Sequence, residues 1–164
     1  MTLSYGKTSP HDILAKAERD LARLEGAEAA QDEEATSDAV FDLAVALTSL
    51  KDWLKEHPGA SFSSPTVESY VAGSTALSSF RDIANVGKHR VIRMYEPQTV
   101  DVAVSVTSTV SVLVVATEAP SAGNAPKPLR RIKIIRADGS RHRATDLGRD
   151  AVREWGAFMQ QHGV

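Results

Sequence analysis

The chain has 164 residues, 42% of them hydrophobic and 24% charged, with a net charge of −2. That balance suits a single globular domain able to bury its own core, and it excludes a chain that is disordered throughout. There is no cysteine, which excludes disulfides, Cys-based zinc or iron–sulfur sites and a thiol nucleophile.

The charge is unevenly placed. Residues 1–60 carry 6 Lys/Arg and 12 Asp/Glu, whereas residues 61–164 carry 13 and 9. Such a split fits a nucleic-acid or acidic-partner surface in the second part, or acidic helices and a basic sheet that face each other or face water. The first 16 residues hold no apolar stretch of signal-peptide length. The most apolar run, Val100–Ala116, is broken by Asp101 and by Ser and Thr, so it reads as strand and not as a membrane helix. The expectation is a soluble cytoplasmic protein with no membrane partner.

A first helix is expected over Pro10–Glu25. Ser9 is a good N-cap and Pro10 suits the first helical position. Ile13, Leu14, Ala17, Leu21 and Leu24 form its apolar stripe, and Gly26 is expected to end it. The acidic stretch 27–36 reads as a solvated loop or frayed extension. The strongest helical periodicity runs over Asp38–Glu56, capped by Thr36 or Ser37, with Val40, Leu43, Ala44, Leu47, Leu50, Trp53 and Leu54 at three- and four-residue spacing. His57-Pro58-Gly59 stops it. Ser64-Pro65 opens a third helix reaching about Val71. A fourth follows from Ser74 to Lys88, with Leu77, Phe80, Ile83 and Ala84 on its apolar face. Trp53, Phe41 and Phe80 read as core residues. Short connections favour an antiparallel four-helix bundle over residues 9–95.

From Val100 to Ala116 apolar residues fall on the even positions, the period of half-buried antiparallel strand. One long strand or two strands over 99–117 satisfy this pattern equally. Residues 119–128 read as a loop rich in Pro, Gly, Ser and Ala. A strand over Arg130–Arg136, the turn signal Asp138-Gly139 and a strand over Ser140–Ala144 follow. Thr145 or Asp146 then caps a last helix to about Gln161, with Val152, Trp155, Phe158 and Met159 as its apolar face. The expected fold class is therefore α+β: a helical portion, then residues 98–164 as a small antiparallel sheet (meander or hairpin) and a C-terminal helix, all in one domain.

Two constellations carry chemistry. In Arg81-Asp82-Ile83-Ala84-Asn85-Val86-Gly87-Lys88-His89, helical spacing puts Arg81, Asn85 and Lys88 on one polar face and Asp82 and His89 on the adjoining one. A histidine beside cations is held neutral and can accept a proton, while Arg or Lys can stabilise a phosphorane, so these are candidate catalytic residues for RNA cleavage. Alternatively, Lys88 and His89 only complement the last helix carbonyls. The second constellation is basic: Lys127, Arg130, Arg131, Lys133, Arg136, Arg141 and Arg143 against Asp138 alone. Of these, Arg130, Arg131, Lys133, Arg141 and Arg143 are candidate nucleic-acid contacts. The competing reading is an edge hairpin kept soluble by charge. No HExxH, Gly-rich phosphate loop or G-x-S-x-G is present, and the other histidines lack metal-ligand spacing, so no cofactor, nucleotide or metal is expected.

The pattern Asp52-Trp53-Leu54 followed by Arg81–His89, with Asp138-Gly139, Trp155, Phe158 and His162-Gly163 further on, resembles a group of uncharacterised bacterial helical proteins reminiscent of the HEPN superfamily. The resemblance implies a dimeric, metal-independent ribonuclease of toxin or phage-defence systems, using Arg81, polar Asp82 and His89, or a non-catalytic relative serving as a binding or antitoxin partner. Seven residues separate Arg81 from His89, one more than the family motif allows. Three expectations follow: a non-enzymatic interaction or oligomerisation protein with a protein partner, a HEPN-like ribonuclease acting on RNA, or a nucleic-acid binder using the basic hairpin. A homodimer is expected from pairing of the Val/Ser/Thr strand across a two-fold axis.

Overall fold

The computed structural model describes residues 6–58, 60–88, 99–107 and 129–164. The order is α1 (Pro10–Ala30), α2 (Glu33–Lys55), α3 (Ser64–Gly73), α4 (Thr75–Lys88), β1 (Thr99–Thr107), β2 (Leu129–Arg136), β3 (Arg141–Arg143) and α5 (Ala144–His162). This is an α+β arrangement, mostly helical with one small antiparallel sheet. No described helix is long and apolar enough to cross a membrane.

The start of α1 follows its sequence signals. The Ser9 side chain accepts from the Asp12 N–H, and Asp12 accepts in return from the Ser9 N–H at 3.0 Å, a capping box. The end of α1 does not. Gly26 is passed in helical conformation, and the chain leaves the helix at Gln31, in the left-handed region at φ 59°. Asp32 then caps α2 through the Ala35 N–H at 3.0 Å. The stretch 27–36, read as a solvated loop or a frayed extension, is therefore almost wholly helical. Ala27, Ala29 and Ala30 are strong helix formers, and Glu28 is held from outside: its carboxylate accepts from Arg143 at 3.1 Å and from the Thr145 hydroxyl at 3.3 Å.

The sheet order is β1-β2-β3. β1 pairs antiparallel with β2, Val102 opposite Ile134 and Val104 opposite Ile132, with an irregularity between Thr99 and Asp101. The turn joining β2 to β3 forms at Asp138-Gly139 as expected. Gly139 takes φ +82°, and the Asp138 carboxylate accepts from the Ser140 N–H at 2.8 Å. β3 runs directly into α5, so the expected caps Thr145 and Asp146 lie inside the helix; Arg143 takes the N-cap position and makes no side-chain cap bond. At the far end Gly163 closes the helix at φ 69°.

Ile132 and Ile134 bring the sheet onto the same buried cluster as Leu43, Leu47, Phe80, Trp155 and Phe158. α5 packs against α1, α2, α4 and the sheet. Trp155 is 1% exposed, and its indole N–H donates to the Leu47 carbonyl at 3.2 Å. Where α5 crosses α1 and α2, a Cβ on Gly148 would come within 2.9 Å of Leu21 Cδ1 and 3.0 Å of Leu43 Cδ2. Phe41 corrects the sequence reading: it is 41% exposed. It stands one residue, about 100° of helix, off the buried Val40–Leu43–Ala44–Leu47 stripe.

The charge asymmetry is partly answered within the fold. Arg143 meets Glu28 and Arg149 meets Glu25 at 2.7 Å, joining the basic C-terminal part to acidic α1.

Candidate functional site

Asp82 is fully buried, which an isolated carboxylate does not tolerate. Its Oδ1 accepts from the Arg81 side chain through Nε at 3.1 Å and Nη2 at 3.0 Å. Its Oδ2 accepts from the Thr99 backbone N–H at 2.9 Å. One carboxylate thus pairs its own helix neighbour and fastens the first residue of β1 to α4.

A second tie lies one strand over. Arg136 is in phase with Ile132 and Ile134, so it faces the helices. Its Nη1 donates to the Thr75 carbonyl at 3.0 Å, the Ser78 hydroxyl at 3.1 Å and the Ser79 hydroxyl at 2.8 Å. Thr99 and Arg136 are cross-strand partners, so Asp82 and Arg136 hold the same end of the sheet from opposite charges. The sequence did contain a signal for Arg136: an arginine alternating with buried isoleucines needs acceptors. Nothing local pointed to Thr99.

Around Arg81 the space is small. A cavity of about 10 Å³ is lined by Leu47, Thr48, Lys51, Leu77, Arg81 and Trp155, room for about one water molecule. The Thr48 hydroxyl is buried at its edge and has no hydrogen-bond partner among the described residues. Lys51 is turned to Glu68 at 3.3 Å, as is Lys55 at 2.8 Å. Burial pushes the Glu68 carboxyl up, but the two ammonium groups outweigh it and hold it below its ordinary range. Asn85 is half-buried and has an interaction partner of its own. The Lys88 side chain and all of His89 lie outside the described residues. The structure therefore brings Arg81 and Asp82 together, as a buried pair.

The basic hairpin divides by register. Lys133 is opposite Arg143 and Ile135 opposite Arg141, so Arg131, Lys133, Arg141 and Arg143 share one face of the sheet. Arg143 is drawn off to Glu28 and, at 3.8 Å, Asp146, and Arg136 points to the other face. Arg131 and Lys133 are half-buried and Arg141 is exposed; among the described residues none of the three has an acidic partner. The Arg130 side chain, Lys127, residues 119–128, where a loop is expected, and the stretch 108–116 lie outside the described residues.

A third feature was not anticipated. Trp53, expected in the core, packs against it with only part of its surface. The rest lines a cleft of about 430 Å³ between the start of α1 and the end of α2, with Pro10, Asp52, Glu56, His57 and Pro58.

Comparison of the chain with family models, with curated proteins and with solved structures finds no match in any of the three.

Proposed function

We propose that this protein is a non-enzymatic interaction protein, and that Arg81 and Asp82 are part of its framework. The observation that supports this reading is the burial of Asp82, with both carboxylate oxygens engaged by Arg81 and by the Thr99 N–H. A general acid or base must reach the proton it transfers, and a carboxylate enclosed and bonded in this way reaches none. The resemblance to HEPN bundles accords with the reading through their non-catalytic relatives, which act as binding or antitoxin partners.

The test is incubation of single-stranded RNA with purified wild type, Arg81→Ala and His89→Ala, each checked for folding by circular dichroism. No cleavage above buffer is expected from any of them. Cleavage by wild type, in the presence of a chelator, that disappears in both folded variants would overturn the reading and establish a metal-independent ribonuclease.

A second reading rests on Arg131, Lys133 and Arg141, three cations on one sheet face without acidic partners among the described residues. Such a face suits a phosphate backbone, whose binding weakens steeply with salt as counterions are released. Neutralising all three residues is expected to abolish salt-dependent retention of a nucleic acid; retention unchanged in the triple variant would remove this reading.

A further inference from the structure

The cleft at Trp53 belongs to neither constellation, and its chemistry is specific. Its volume, about 430 Å³, lies within the ordinary range for small-molecule sites. One wall is the Trp53 indole, fixed from behind by the core; Pro10 and Pro58 add rigid apolar surface. Its polar lining is Asp52 and Glu56, both exposed, with Thr8 and His57, and among the described residues no Lys or Arg lines it.

The cations nearby are turned elsewhere. Lys51 and Lys55, on the same last turns of α2, both engage Glu68 of α3, at 3.3 and 2.8 Å. Asp52 meets Lys51 only at 4.0 Å, and Glu56 has no ion-pair partner among the described residues. The backbone adds to the field, because α2 ends at Lys55 with Glu56 as its C-cap and the C-terminus of a helix carries partial negative charge. Indole, two carboxylates and helix end all favour a positive charge in one cleft.

We propose that this cleft binds a small alkylammonium ligand, its charge between Asp52 and Glu56 and its alkyl groups against Trp53 and the prolines. Neither the framework role of Asp82 nor the basic sheet face enters this assignment.

Choline and its uncharged isostere 3,3-dimethylbutan-1-ol are the probes, titrated into the full chain and followed by the two indole N–H resonances in NMR. Trp155, buried and bonded to Leu47, is the internal control; Trp53→Phe assigns the signals. Choline is expected to move the Trp53 resonance saturably and to leave Trp155 in place. The isostere is expected to bind at least about tenfold more weakly. The double variant Asp52→Asn/Glu56→Gln changes only exposed side chains and is expected to weaken choline by a similar factor. Equal binding of both probes, choline affinity unchanged in the folded double variant, or a Trp53 resonance that does not move would each overturn the assignment.

Discussion

Replacing Asp82 by alanine tests the buried tie between α4 and β1. The substitution removes two hydrogen bonds from Arg81 and one from the Thr99 N–H, at 3.1, 3.0 and 2.9 Å. Hydrogen bonds to a charged group contribute about 1.5–3 kcal/mol each. They are not additive here, because the two from Arg81 end on one oxygen. The variant also takes the Asp82 carboxylate away from the Arg81 side chain, which is 15% exposed. Breaking a buried ion pair from one side costs about 3–5 kcal/mol, and that is the expected loss. For a chain of this size it lowers Tm by about 6–20 °C. Asp82→Asn retains one acceptor and should fall between wild type and alanine. Urea and thermal denaturation measure the loss, and hydrogen exchange at the Thr99 amide locates it, since that N–H should lose protection. A change below about 0.5 kcal/mol with the Thr99 amide still protected would refute the framework role and reopen Asp82 as a functional group.

Gly26→Ala should raise stability by about 0.5–1 kcal/mol, because Gly26 is helical and nothing lies within 4 Å of an added Cβ; a loss in thermal denaturation would mean that the helix ends there. Asp12 is held down to about 2 from 3.8 by the Thr8 N–H, with the Ser9 and Thr8 hydroxyls assisting. Its depressed pKa contributes stability above pH 3.8 that is lost as pH falls toward 2, so the stability difference between wild type and Asp12→Asn should shrink to nothing over that window. Glu28→Ala should cost about 1–2 kcal/mol in urea denaturation, since it removes the acceptor that Arg143 and Thr145 share, and exchange should speed up first at the end of α1.

Much of the scaffold was legible from local pattern. The stripe of α2, the Ser9-Pro10 start of α1 and the Asp138-Gly139 turn each depend on residues within a few positions of one another. So does the alternation of Ile132 and Ile134 with Arg131 and Lys133. The candidate sites were legible only as lists of residue types. Helical spacing gathered Arg81, Asp82 and Asn85 on neighbouring faces, but whether Asp82 meets a substrate or a strand depends on Thr99, which arrives from the sheet. Of the five basic side chains in that run that are described, Arg136, in phase with the isoleucines, is held by α4, and packing alone drew Arg143 to Glu28 and left Arg131, Lys133 and Arg141 on the opposite face.

Amphipathic helices followed by an alternating sheet follow from residue order alone, because those periodicities are set by backbone geometry over one or two turns. Tertiary structure decided where α1 ends, that Phe41 faces water, that Asp82 is a buried tie and that Trp53 opens on an acidic cleft. Each of these outcomes turns on which surfaces meet. Glu28 meets Arg143 115 positions away, and no local preference encodes a contact over that separation; it comes from burying the one set of apolar faces that all the elements share.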